Sequence, residues 1–266
     1  MALNKWINAF FEAWDILMEI PLPEKLIEIA RNDSEHDNSC LLAVFPIVGL
    51  IVGALLITAA TIINVFVPAK TASAIIGALI LCVLTEIFLA GGNIFSLTAF
   101  IQAKKSGFSN FETAAVVDAA SAETSQINQL YLISIYCLKV VAFALLIFYD
   151  RMTWIVIVYA LSFLIRSQMA QWNDIRTSQP LIDAKKHENA VKLPWIFASA
   201  ITVFIAGFNF FPAALAAVLA SYFLIRFFSK ILKGNRGGVS PGIIAGAGTF
   251  SELVLLMIGV ILLVRN

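Results

Sequence analysis

The run LLAVFPIVGLIVGALLITAATIINVFV, residues 41–67, decides the fold class of this chain. It is 27 residues long and uncharged throughout, with Asn64 as its one amide. A helix needs about 20 apolar residues to cross a hydrocarbon core of ~30 Å. Backbone in lipid must also satisfy its own hydrogen bonds, so a run of this length reads as a transmembrane helix. The rest of the composition agrees. Of 266 residues, 60% are hydrophobic and 13% charged, with a mean hydropathy of +0.89. Soluble domains carry about 25% charged residues. This chain could face water only by exposing large apolar patches.

Six further runs follow. Residues 72–89 are interrupted by Glu86 and followed by Gly91-Gly92, and residues 130–149 carry Lys139. The run 152–165 is short for a span, so it must continue past Arg166 or be buried against its neighbours. Residues 193–208 and 211–228 are separated by a tight turn at 209–212, and 242–264 carries Glu252. The pattern predicts an all-α fold: a polytopic integral membrane helical bundle of about seven transmembrane helices, forming a single domain over 1–266. The segment 1–40 precedes the first span. In it, Trp6, Ile7, Phe10, Phe11, Trp14, Leu17 and Met18 recur at helical spacing, which predicts an N-terminal interfacial helix rather than a cleaved signal. The longest connection between spans is the loop 96–128.

Charge by position gives the orientation. Seven spans divide the connecting segments into two alternating sets. Fourteen lysines and arginines, Arg166 among them, fall in one set, three (Lys70, Arg151 and Arg265) in the other, and Lys139 inside a span. The positive-inside rule then predicts a cytoplasmic N-terminus and an external C-terminus in a cell (inner) membrane. The net charge of +1 carries no signal for nucleic acid, and no such partner is expected; the partner is the lipid bilayer.

Ionisable residues inside spans are costly and are functional candidates. Glu252, Lys139 and Glu86 qualify, either as structural ion pairs or as a proton relay or ion site of a small-molecule transporter. The loop 233–242 combines Lys233 and Arg236 with Gly237 and Gly238. Close backbone approach and cationic side chains there suit a phosphate or diphosphate, or lipid headgroups, although the pattern is not a Walker loop. Gly246 and Gly248 read as helix-packing residues. Asp118 lies between Glu112 and Glu123 on a stretch that reads as helical with a solvated acidic face. His36 and His187 have no partner at ligand spacing, and Cys40, Cys82 and Cys137 have neither disulfide nor metal spacing.

The order of several short elements resembles the adenosylcobinamide-GDP ribazoletransferases, or cobalamin-5'-phosphate synthases. Ile20-Pro21-Leu22-Pro23 is similar to that family's Leu-Pro-x-Pro element, and Phe45-Pro46-Ile47-Val48-Gly49 to the opening of its first span. Gly91-Gly92, Gly237-Gly238 and Ser251-Glu252-Leu253-Val254 match later elements, so that the resemblance covers most of the chain. It implies a membrane transferase of cobalamin biosynthesis that joins α-ribazole, or its phosphate, to a nucleotide-linked corrinoid, adenosylcobinamide-GDP, releasing GMP. Asp118, Lys139, Arg166 and Glu252 would be catalytic, Asp118 would hold Mg²⁺, and Lys233, Arg236, Gly237 and Gly238 would bind substrate. A homo-oligomer is compatible with it. The family's acidic run after Gly-Gly is replaced here by residues 93–103, which contain no acid, and Ala122 stands where a glycine would fall. Metal charge is the main stabilising term in such phosphoryl transfer. The departure therefore implies a reaction lost, impaired or altered, as in a pseudoenzyme that binds or scaffolds a related ligand.

Overall fold

A computed structural model describes residues 2–21, 40–89, 93–109, 112–113, 115–117, 129–172, 179–184, 189–207, 210–232 and 241–264. Among them every regular element is a helix: α1 (Ala2–Leu17), α2 (Leu41–Phe66), α3 (Lys70–Phe88), α4 (Asn93–Lys105), α5 (Gln129–Phe148), α6 (Trp154–Trp172), α7 (Gln179–Ala184), α8 (Asn189–Ala206), α9 (Phe211–Leu232) and α10 (Pro241–Leu263). Six of these, α2, α3, α5, α6, α9 and α10, are long and apolar enough to cross a membrane. The seventh expected span corresponds to α8, whose apolar part, Lys192–Ala206, is shorter.

The outer helices wear their apolar residues outward. On α3, Ile75, Leu79, Val83 and Ile87 repeat every fourth position and are exposed, while Ala74, Gly77, Ala78, Leu81 and Cys82 face inward. Leu215, Leu219, Phe223 and Phe227 form a similar outward stripe on α9. Large apolar residues outside and small ones inside is the pattern expected where lipid is the solvent and helices associate by close approach.

The hub is α6. It packs on α2, α8, α9 and α10, and 94% of Trp154–Gln171 is buried. It is also the least apolar of the six long helices, with Ser162, Arg166, Ser167 and Gln168 all buried. A helix surrounded by protein can carry such groups because its neighbours, not lipid, meet them. The helix continues through Arg166 to Trp172. Arg166 is therefore not a loop cation, as the short run 152–165 allowed, but part of the buried hub.

Close contact between α2 and α6 has two local causes. A Cβ on Gly53 would sit 2.6 Å from the Val156 Cα, and Gly49 meets the Tyr159 carbonyl in the same way, so the pair four residues apart lets the two backbones touch. The second cause is Pro46, in the second turn of α2. It has no N–H for the carbonyl four residues earlier, that of Leu42. The buried Ser167 hydroxyl of α6 donates to that carbonyl instead, at 2.9 Å. At the other end of α6, the Trp154 indole N–H donates to the Leu255 carbonyl of α10 at 2.9 Å. Other hydroxyls within the helices (Thr58, Ser134, Thr202, Ser221, Ser251) donate to the carbonyl four residues earlier, which hides them from lipid. Asn64, the one amide of α2, takes a hydrogen bond from Ser73 of α3 and lies 3.8 Å from the Met152 sulfur.

The amphipathic N-terminal helix forms as its spacing predicts, and it is docked. Ala9, Ala13, Leu17 and Met18 are buried against the bundle, with Trp6, Phe10 and Trp14 packed beside them. Its end is tied down by an isolated antiparallel bridge, Met18 to Leu89, in which the Glu19 N–H donates to the Phe88 carbonyl at 3.0 Å. The connection 96–128 begins as helix α4, whose Ile94, Leu97, Thr98 and Ala99 are buried. Gly246 lets α10 lie against the α4 backbone, with its Cβ position 3.1 Å from the Leu97 nitrogen. Gly246 thus does serve helix packing.

Replacing Ser167 with alanine leaves a buried carbonyl unsatisfied and should cost about 1–3 kcal/mol of stability. In a Pro46→Ala background the new N–H can occupy the Leu42 carbonyl, so the Ser167→Ala penalty should shrink to a small fraction. Thermal unfolding of the four proteins in detergent, read as a double-mutant cycle, measures this; strict additivity would refute the link.

Candidate functional site

Four ionisable side chains from four helices meet inside the bundle. Glu86 stands in the last turn of α3, Lys139 midway along α5, Arg166 in the second half of α6 and Glu252 midway along α10. The Lys139 ammonium lies 3.5 Å from Glu86 Oε1 and 3.4 Å from Glu252 Oε2. The other Glu252 oxygen accepts a hydrogen bond from Arg166 Nη2 at 3.0 Å. The order Glu86, Lys139, Glu252, Arg166 alternates in sign. Lys139, Arg166 and Glu252 are buried, while the Glu86 side chain is 23% exposed and opens the row at one end.

The surroundings are shaped to this row. A Cβ on Gly248, one turn before Glu252, would lie 2.7 Å from Arg166 Cζ, so the glycine leaves the volume that the guanidinium fills. The guanidinium also sits over the Phe163 ring, 4.9 Å from its centroid. Gly248 therefore accommodates a side chain rather than a neighbouring backbone, the packing role read from the sequence. Two basic and two acidic side chains balance one another in number, which is what makes them tolerable here. A lone ion in such a place costs several kcal/mol, and mutual pairing with good geometry offsets that.

Three of the four residues marked by the family resemblance as catalytic, Lys139, Arg166 and Glu252, are thus brought together. Glu86 joins them; its signal in the sequence was a carboxylate inside an apolar run. Asp118, and Lys233, Arg236, Gly237 and Gly238 of the glycine-rich loop, lie outside the described residues, as do His36 and His187. Glu112, before Asp118, has a local structural use. Its carboxylate accepts from the Ser109 N–H at 2.9 Å and from the Ser109 hydroxyl at 2.8 Å, forming a capping box, and these bonds hold it below the usual carboxylate range. Among the described residues no group of three or more His, Cys, Asp or Glu could hold a metal ion. Among the described residues Cys40, Cys82 and Cys137 form no disulfide.

No protein-family model, curated protein or solved structure matches this chain.

Removing one member of the row unbalances it. Glu252→Gln should destabilise the protein by about 3–5 kcal/mol, because two buried cations lose their shared anion. Adding Lys139→Met restores neutrality, so the double variant should be more stable than Glu252→Gln alone. Glu86→Gln, at the partly exposed end, should cost less than either. Unfolding in detergent at neutral pH reads all four, and a double variant no better than the single one would contradict the coupling.

Proposed function

We propose that this chain is a ribazoletransferase-like membrane protein that binds a diphosphate-linked ligand, such as a nucleotide-linked corrinoid, at its basic end and no longer carries the family's transfer reaction at an appreciable rate. One observation carries the reading. Lys139, Arg166 and Glu252, at family-like positions, converge in one cluster, and in that cluster each is engaged by the others. The cluster supports kinship of architecture, while its self-neutralisation leaves little charge for a reacting phosphoryl group. The run 93–103 weighs the same way. Its side chains offer hydroxyls and amides (Asn93, Ser96, Thr98, Gln102) where the family's reaction calls for carboxylates. That donor set does not fit a divalent ion, which takes one or two carboxylates beside the substrate phosphates. No step is therefore assigned to Mg²⁺.

The topology belongs to the same reading. Lys192–Ala206 is taken as a seventh crossing, short because Lys192 marks its headgroup end. With Arg166 moved into the bundle, thirteen cations lie on one set of connections and three on the other, with Lys139 and Arg166 inside. The positive-inside rule then gives a cytoplasmic N-terminus, an external C-terminus and α1 at the cytoplasmic interface of a cell (inner) membrane. A C-terminal fusion to alkaline phosphatase should be active and the same fusion to green fluorescent protein dark. The reverse pattern would put the C-terminus in the cytoplasm and overturn this topology.

The activity is tested with the full chain in nanodiscs, given adenosylcobinamide-GDP, α-ribazole and Mg²⁺. The expected result is saturable binding of the GDP-linked corrinoid without GMP release. GMP release abolished by Asp118→Asn would make the chain an active transferase and overturn the reading. A second reading, a proton-linked transporter, is favoured by the row of alternating charges running from a partly exposed carboxylate into the buried core. Absence of corrinoid binding, together with proton-coupled uptake in liposomes lost in Glu86→Gln, would select it.

A further inference from the structure

A groove of about 420 Å³ runs between α4, α9 and α10, and none of the four ionic residues lines it. Its volume falls in the roughly 300–1,000 Å³ range of small-molecule sites. We propose that this groove holds one acyl chain of an anionic phospholipid, with the lipid headgroup met by Lys104. The lining is apolar apart from Lys104, its one ionisable member. Lys104 and Ile231 stand in the last turns of α4 and α9, and Ile243 in the first turn of α10, so the mouth lies where the three helices end. From Ile243 to Phe250 the groove follows α10 for about 10 Å. Phe228 and Phe250 wall its depth with edge-to-face rings 5.8 Å apart. An unbranched chain of methylenes fits this lining and a polar solute does not.

The charge at the mouth selects the headgroup. Lys105 follows Lys104, and Lys230 lies in the last turn of α9. Burial holds the Lys104 amine below its ordinary value, a penalty that a phosphate beside it would relieve. The position selects the source. Phe227 is 52% exposed and Phe223 67%, so the groove opens along the same outward face of α9 that carries the apolar stripe. Bilayer lipid is what borders such a face. Basic sites between helices near the membrane surface are general binding places for anionic headgroups.

The test uses the full chain in nanodiscs of phosphatidylcholine with increasing phosphatidylglycerol, then gentle extraction and native mass spectrometry of the lipid retained. Wild type should retain phosphatidylglycerol over phosphatidylcholine by about fivefold, the effect of one well-placed lysine on an anionic headgroup. Lys104→Gln should abolish that preference, and Lys70→Gln, outside the groove, should leave it unchanged. Ile231→Trp, which fills the mouth, should reduce retention of both lipids. Equal retention of the two lipids by wild type would overturn the proposal, as would a preference that survives in folded Lys104→Gln. So would retention of a water-soluble anion in place of lipid. If Ile231→Trp fails to fold, the lysine substitution still decides.

Discussion

Glu252 is a carboxylate with no exposed surface in the middle of a long apolar helix, and the bundle around it is arranged to supply cations. Arg166 approaches one oxygen from α6 and Lys139 the other from α5, while Glu86 of α3 takes the far side of Lys139. This pairing links four helices at one level. It also lets α6 occupy the centre, because a helix bearing a buried arginine could not face lipid. The small residues follow from it: glycine at 248 is what gives the guanidinium its room.

The second constraint is the backbone. In a medium without water every carbonyl needs a donor, and a proline inside a helix releases one. Pro46 does so in α2, and the bundle turns the released Leu42 carbonyl into an inter-helix contact through Ser167. The same helix pair is drawn close by Gly49 and Gly53. Side chains and backbone therefore agree on a single register between α2 and α6. The ionic row depends on that register, since sliding α6 by one turn would carry Arg166 away from Glu252.

The two ends of the molecule differ in kind. One end gathers Lys104, Lys105 and Lys230 at helix termini beside an apolar groove. Another edge holds the exposed Lys70–Asp150 pair at 2.7 Å, with Asp150 in a left-handed turn between α5 and α6. An exposed pair of that sort contributes little. In the proposals above, anionic ligands, whether diphosphate or lipid headgroup, are assigned to the first end, and the buried row, none of whose residues lines the groove, serves the architecture.

The apolar runs were legible because hydropathy is local: a helix of about 20 apolar residues is decided by its own side chains. Six of the seven expected spans appear as long apolar helices at close to the expected boundaries, the N-terminal stripe is helical, and Lys139, Glu86 and Glu252 stand out as ions in apolar surroundings. Hidden in the sequence were the features made by distant partners. Arg166 looked like the end of a short span because Glu252, 86 positions later, was needed to make its burial tolerable. The connection 96–128 reads as holding an amphipathic stretch, but the bounds of helix α4 at its start were not legible, because its place is set by packing on α10. The use of Ser167 required knowing which carbonyl Pro46 releases and which helix comes to rest against it. Composition determined that this chain builds helices for an apolar solvent. Only the tertiary structure decided which charges neutralise one another, because charge pairing depends on distance in space and the sequence gives distance only along the chain.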